Sequence, residues 1–144
     1  MNPIAIVIRV LVIAAVVPLA GWAFDLATTG GDKSGGANIG AGLFAFTVGA
    51  VLAFVWGIVD GRRTGLSFLT LLGRWALVCA LAALLGWAVL WLREGYDVAT
   101  AMSDLTSLTP FFFATIFGPS VVGVLIGWVL RRTPPPDPAA PEPA

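Results

Sequence analysis

Three charged residues within or at the ends of apolar segments are the strongest candidates for a chemical role in this sequence: Arg9, Asp60 and Arg74. A charge inside a membrane-length segment is costly, so it usually pairs, faces a cavity or reaches the lipid headgroups. Arg9 and Arg74 lie about one to two helical turns inside their segments, where a guanidinium can snorkel to the headgroups or pair with Asp60. The alternative is that both arginines line a cavity and attract an anionic group.

Other kinds of site have few candidate residues. The sequence contains no histidine and a single cysteine, Cys79, so a zinc, haem or Cys/His catalytic site has almost no ligands within this chain. No acid/base or nucleophile pair lies at a plausible depth in the apolar segments. We therefore expect neither an enzyme nor a bound cofactor.

The segments that must position these charges are four long apolar runs. Hydrophobic residues make up 58% of the chain and charged residues 11%, with a mean hydropathy of +0.94. About 20 apolar residues cross the hydrocarbon core of a bilayer as a helix. The sequence predicts an all-α integral membrane protein with four transmembrane helices, at residues 4–24, 37–59, 67–92 and 110–130.

The remaining segments complete a one-domain organisation. Residues 1–132 are predicted to form the membrane domain, and the proline-rich residues 133–144 a disordered cytoplasmic tail. Residues 60–65 are predicted to form a tight turn, and residues 96–108 either a short interfacial helix or a loop before a helix start at Thr109-Pro110. A cleaved signal peptide is the alternative for the first run, but bulky Trp22 lies beside any cleavage point.

Basic residues are distributed unevenly around the four runs. Arg62 and Arg63 follow the second run, and Arg131 and Arg132 follow the fourth. By the positive-inside rule these arginines place both termini in the cytoplasm, as in a multi-pass protein of the bacterial cytoplasmic membrane. Eight basic residues balance eight acidic ones, so an overall attraction to nucleic acid is not expected.

Small residues recur at four-residue spacing in the second run and again in the fourth. This interval lets membrane helices approach closely, either within the chain or between subunits. The predicted packing positions are Ala41, Ala45, Gly49, Ala53 and Gly57, with Gly123 and Gly127 opposite them.

The first and second halves of the sequence repeat a pattern. Residues 9–23 and 74–88 share an arginine twelve residues before a Gly-Trp pair, and Arg-Arg-Thr occurs at residues 62–64 and 131–133. Both copies run in the same direction, so they predict two parallel-repeat helix hairpins that form a four-helix bundle. Coincidence among abundant membrane residues is the alternative.

The layout resembles the four-helix bacterial branch of the drug/metabolite transporter superfamily, found in actinobacteria. Three segments carry the resemblance: Arg9-Val-Leu, Trp56-Gly-Ile-Val-Asp-Gly-Arg62, and the fourth run from Leu108 through Pro119 to Gly127. The resemblance implies transport of a small molecule. It departs from the small multidrug-resistance transporters, whose first helix holds a buried carboxylate, because the charge in the first run here is Arg9.

Two functions are therefore expected as alternatives. The first is a transporter of an unidentified small solute, working as a homo-oligomer because four helices enclose little space. The second is a non-catalytic accessory subunit whose small-residue faces hold a larger membrane complex. In both cases the lipid bilayer is the surrounding partner.

Overall fold

Four long α-helices make up the part of the chain that the computed structural model describes, which is residues 3–30, 38–63, 65–95 and 97–131. They are α1 (Pro3–Thr29), α2 (Ile39–Arg63), α3 (Phe68–Glu94) and α4 (Val98–Val129). Each helix is long and apolar enough to cross a membrane. The predicted all-α membrane class is confirmed, whereas the tail at residues 133–144 and Arg132 lie outside the described residues.

The helices alternate in direction, so the bundle has two ends. The Asp60 end contains the start of α1, the α2–α3 connection and the last turn of α4. The Asp97 end contains the end of α1, the start of α2 and the α3–α4 connection. The placement of the Asp60 end in the cytoplasm stays a prediction.

The α1–α2 hairpin closes at the Asp97 end through Asn38. Its side-chain oxygen accepts a hydrogen bond from the Ala41 backbone N–H at 3.1 Å, which caps α2. Its amide nitrogen donates to the Asp25 carboxylate at 2.9 Å. Hydroxyl groups of Thr28 and Thr29 donate to backbone carbonyls one turn back. These bonds carry α1 to Thr29, five residues beyond the predicted end at residue 24.

The fourth helix begins much earlier than predicted. Instead of starting at residue 110 after a loop or separate helix, α4 runs unbroken from Val98 and contains both Pro110 and Pro119. Proline removes one ladder hydrogen bond, but Ser and Thr hydroxyls can satisfy nearby backbone groups. The hydroxyls of Thr106, Ser107 and Thr109 donate to the Met102, Ser103 and Asp104 carbonyls, which lie before the Thr106 carbonyl that Pro110 leaves without its ladder partner.

Asp97 is the residue that starts this long helix. Its carboxylate accepts a hydrogen bond from the Thr100 backbone N–H at 2.7 Å. This bond holds the pKa of Asp97 below its ordinary value of 3.8. A lowered folded-state pKa stabilises the folded helix end above the unfolded pKa, and this stabilisation disappears as the pH falls through the folded value.

We therefore expect the first turn of α4 to fray in acid in a way that depends on Asp97. Hydrogen-exchange protection of the Thr100 amide should fall as the pH drops below 3.8. Asp97→Asn should keep its protection, because asparagine caps a helix about equally well without titrating. Identical pH profiles for the two proteins would contradict this assignment.

The second helix extends past its predicted end at residue 59. Residues 60–63 continue α2 rather than forming the predicted turn. Gly61 is buried against α4, where an added Cβ would lie 2.6 Å from the Val124 carbonyl oxygen. The Gly61 carbonyl also accepts a hydrogen bond from Arg131 Nε at 2.7 Å. Packing against α4 thus keeps residues 60–63 helical, although the glycine in this segment had suggested a turn.

Helices α2 and α4 form the central pair of the bundle, and their small residues meet along a line that we call the glycine seam. The seam consists of Gly57 and Gly61 on α2 with Gly123 and Gly127 on α4. A Cβ added at Gly57 would lie 2.6 Å from the Ser120 carbonyl oxygen, and one added at Gly123 would overlap the Phe54 carbonyl. The absence of side chains at the seam therefore lets the two backbones touch.

The outer helices flank this pair in matching positions. Helix α1 packs on α2, α3 packs on α4, and α1 also contacts α3. The core between them is apolar, with Ile13, Leu71, Val78 and Ile116 at most 1% exposed. Many large apolar side chains instead point outward, including Leu11, Val51 and Leu125. Outward apolar side chains are expected for a bundle whose solvent is lipid.

Candidate functional site

A buried ion pair lies at the Asp60 end, between α1 and α2. Arg9 Nη2 donates to Asp60 Oδ1 at 2.5 Å, and the two side chains are 12% and 6% exposed. Arg9 Nη1 also donates to the Ala5 carbonyl at 2.8 Å. The structure thus brings together two of the three predicted charged residues, and it pairs Arg9 with an internal carboxylate.

Two tryptophans surround the pair. The Arg9 guanidinium carbon lies 5.5 Å from the centre of the Trp56 ring, a distance at which cation–π attraction operates. Trp75 of α3 is 1% exposed, and its indole N–H faces the Asp60 carboxylate without reaching hydrogen-bond geometry. The ion pair therefore links α1 to α2 and borders α3, in a setting where water has little access.

Arg74 does not join this pair. It is half-buried, and its Nη1 atom is buried without a hydrogen-bond partner within the described ranges. The two halves of the predicted repeat also differ in the carboxylate that each offers to its arginine. Asp60 lies two residues before the first Arg-Arg-Thr, whereas the same position of the second copy is Val129. The second hairpin therefore offers no carboxylate where the first offers Asp60.

Arg131 has a structural contact beyond the topology role assigned to it from sequence. Besides its bond to Gly61, its Nη1 donates to the Leu66 carbonyl at 2.9 Å. It thereby ties the last turn of α4 to the α2–α3 connection. Arg62 and Arg63 are exposed at the same end.

The predicted packing residues are all buried. Ala41, Ala45, Gly49, Ala53 and Gly57 face the interior from α2, and Gly123 and Gly127 face it from α4. Sequence reasoning missed Gly61, which extends the same four-residue series from Gly57 and could have been found by continuing the count.

An apolar cavity of about 270 Å³ lies toward the Asp97 end. All four helices contribute to its wall, which includes Val17, Phe46, Leu90 and Phe112. Gly42 and Gly86 also line it, and a Cβ added at either would meet no atom within 4 Å. Missing side chains at these two glycines therefore help to leave the space open.

Trp87 supports the wall of this cavity. Its indole N–H donates to the Ala101 carbonyl at 2.9 Å, which fixes α3 against the start of α4. Its ring stacks on Trp91 with centroids 5.9 Å apart. This interhelical bond depends on the early start of α4, because Ala101 lies in its first turn.

A fully packed layer separates the cavity from the ion pair. Along each outer helix and α4, residues between the two sites are at most 1% exposed: Ile13, Val78, Cys79, Ala82, Ile116 and Ser120. Ser120 satisfies its hydroxyl by donating to the Phe117 carbonyl at 2.7 Å. Packing and an ion pair thus lie between the cavity and the Asp60 end of the bundle.

No family model, curated protein or solved structure matches this chain.

Proposed function

We propose that this protein is a small membrane carrier that admits a solute into the cavity from the Asp97 end and releases it past the Arg9–Asp60 pair. The observation that carries the proposal is the cavity, because its wall is built from all four helices and it lies toward one end only. A carrier needs a central site that is open to one side while the other side is closed.

The ion pair supports this proposal as the closure of the Asp60 end. Arg9 and Asp60 come from different helices, so separating α1 from α2 at this end requires their contact to break. In a site poorly accessible to water, opposite charges attract more strongly than at a surface. Their pairing favours the closed arrangement, and neutralising both charges should make opening easier.

The small residues of α2 and α4 pack against other helices of this chain, which disfavours the accessory-subunit alternative. That hypothesis needed the small faces of α2 and α4 to be available to another protein. Gly49, Gly57 and Gly123 instead meet atoms of this chain. Assembly into a homo-oligomer, which the sequence suggested for a transporter, would likewise have to use other surfaces.

Sided cysteine labelling tests the carrier proposal without knowledge of the solute. In a Cys79→Ala background, Gly86→Cys places a thiol in the cavity, where its Cβ meets no atom within 4 Å. A membrane-impermeant thiol reagent should label it from the Asp97 side. Adding Arg9→Gln with Asp60→Asn should raise the labelling rate from the Asp60 side at least tenfold, the change expected when the closed state loses about 1.4 kcal/mol.

Two further cysteine variants control this measurement. Gly65→Cys lies in the exposed connection at the Asp60 end and should label from that side only. Gly118→Cys is exposed on α4 away from the cavity, facing lipid, and should resist the reagent from both sides. If Gly86→Cys labels only from the Asp97 side in both backgrounds, the cavity is a closed-ended pocket and the carrier proposal is wrong.

A further inference from the structure

We infer that the cavity binds a single-chain anionic amphiphile, a fatty acid, with its hydrocarbon chain between the helices and its carboxylate at Arg93. The inference deepens the proposed function by naming the class of solute. Binding itself can be tested without transport, so the two proposals can fail separately.

The residues that line the cavity indicate that the buried part of the ligand is a hydrocarbon chain. Of the described residues that line the cavity, three carry polar side chains: Trp87, Arg93 and Thr109. The Trp87 N–H is already bonded to Ala101, and the Thr109 hydroxyl lies 3.4 Å from the Asp104 carbonyl oxygen. A solute deep in the cavity therefore meets alkyl and aromatic groups and has few sites for hydrogen bonds.

The size of the cavity favours one chain. A cavity of about 150 Å³ lined by apolar residues can hold benzene. At about 270 Å³ this cavity is nearly twice as large, which by the same ratio leaves room for roughly ten carbon atoms. The space therefore suits one medium-length alkyl chain better than the two long chains of a phospholipid.

Arg93 indicates that the head group of the ligand is negatively charged. Among the described residues that line the cavity it is the charged one, and it lies in the exposed last turn of α3. The stacked Trp87 and Trp91 occupy the same region, as aromatic side chains do at the level of lipid headgroups. Arg93 interacts within the chain as well, but a guanidinium has five N–H donors and can hold a carboxylate beside other contacts.

The acidic residues described nearby do not enter the cavity. Asp25 accepts a hydrogen bond from Asn38 and Asp97 accepts one from Thr100. Neither these two nor Asp104 belongs to the lining. Among the described residues of the wall, the charge that a solute meets is therefore that of the Arg93 guanidinium, which is positive.

Equilibrium binding of radiolabelled decanoate to the full chain in lipid nanodiscs tests the inference. Gly86→Leu adds a side chain to the cavity wall at a position where its Cβ meets no atom within 4 Å, and it should weaken decanoate binding at least tenfold. Gly42→Leu, on a different helix, should do the same. Gly118→Leu adds the same side chain outside the cavity and should bind decanoate like the wild type.

Ligands with different head-group charges test the role of Arg93. Arg93→Gln should weaken decanoate binding about tenfold and leave binding of the neutral analogue decanol unchanged. Decylamine, which carries the opposite charge, should compete less well than either. Equal binding by Gly86→Leu, Gly42→Leu and Gly118→Leu would overturn the cavity assignment, and stronger competition by decylamine than by unlabelled decanoate would overturn the anionic head.

Decanoate binding and sided cysteine labelling test the two proposals independently. Decanoate binding with labelling from the Asp97 side alone would retain the ligand class and reject the carrier. Labelling from both sides without decanoate binding would retain the carrier and reject this ligand.

Discussion

Asp60→Leu should lower the free energy of unfolding by about 3 to 5 kcal/mol, which is the usual penalty for removing one partner of a buried ion pair. The substitution leaves the Arg9 guanidinium, which is 12% exposed, without its carboxylate partner at the Asp60 end. Its remaining contacts are the Ala5 carbonyl and the Trp56 ring, which carry no full negative charge. Unfolding in mixed detergent micelles, followed by tryptophan fluorescence, measures the loss.

The control is the double variant Arg9→Met with Asp60→Leu. Replacing both charges by apolar groups of similar size removes the pair without leaving an isolated charge, and such replacements are often neutral. We expect the double variant to recover most of the stability that Asp60→Leu loses. If the double variant is no more stable than the single one, the loss comes from packing around Asp60 and not from the unpaired Arg9.

Hydropathy predicted the four helices because lipid imposes one dominant requirement, an apolar run long enough to cross it. It did not predict where the helices end. The early start of α4 depends on the Asp97 cap, whereas a proline in a sequence usually indicates a helix boundary. The continuation of α2 through Gly61 depends on contact with a residue more than 60 positions away.

The charged site was predictable only in part. Arg9 and Asp60 are conspicuous because charges are rare in such segments, and their pairing was one of two expectations. Arg74 has no carboxylate equivalent to Asp60, because Val129 stands at the corresponding position of the predicted repeat. The cavity could not be predicted from the sequence, because glycines have two opposite effects in this bundle. Gly42 and Gly86 border empty space, whereas Gly57 and Gly123 let two helix backbones touch. Only the positions of neighbouring helices distinguish the two uses of glycine.

The glycine seam should not tolerate even one methyl group. Gly123→Ala places a Cβ against the Phe54 carbonyl, and backbone on both sides limits any relief. Overpacking typically costs about 1 to 3 kcal/mol, and occasionally more, when neighbouring atoms can move. Because here the neighbours are backbone atoms, we expect Gly123→Ala to lower the free energy of unfolding by about 3 kcal/mol or more.

Two other glycines provide a graded comparison for this measurement in the same micelles. Gly118→Ala, also on α4, meets no atom within 4 Å outside its chain neighbours. Its stability should change by less than about 1 kcal/mol, because helix propensity favours alanine and the following Pro119 disfavours a Cβ at this position. Gly49→Ala meets the Val17 Cγ2 at 2.8 Å, and a side chain can move where a carbonyl cannot, so its loss should be intermediate. Stability in the order Gly118→Ala, Gly49→Ala, Gly123→Ala would establish backbone contact as the reason for the glycines. Equal effects at Gly118 and Gly123 would mean that α2 and α4 are farther apart than the seam requires, and the packed layer that closes the cavity toward the ion pair would then lose its support.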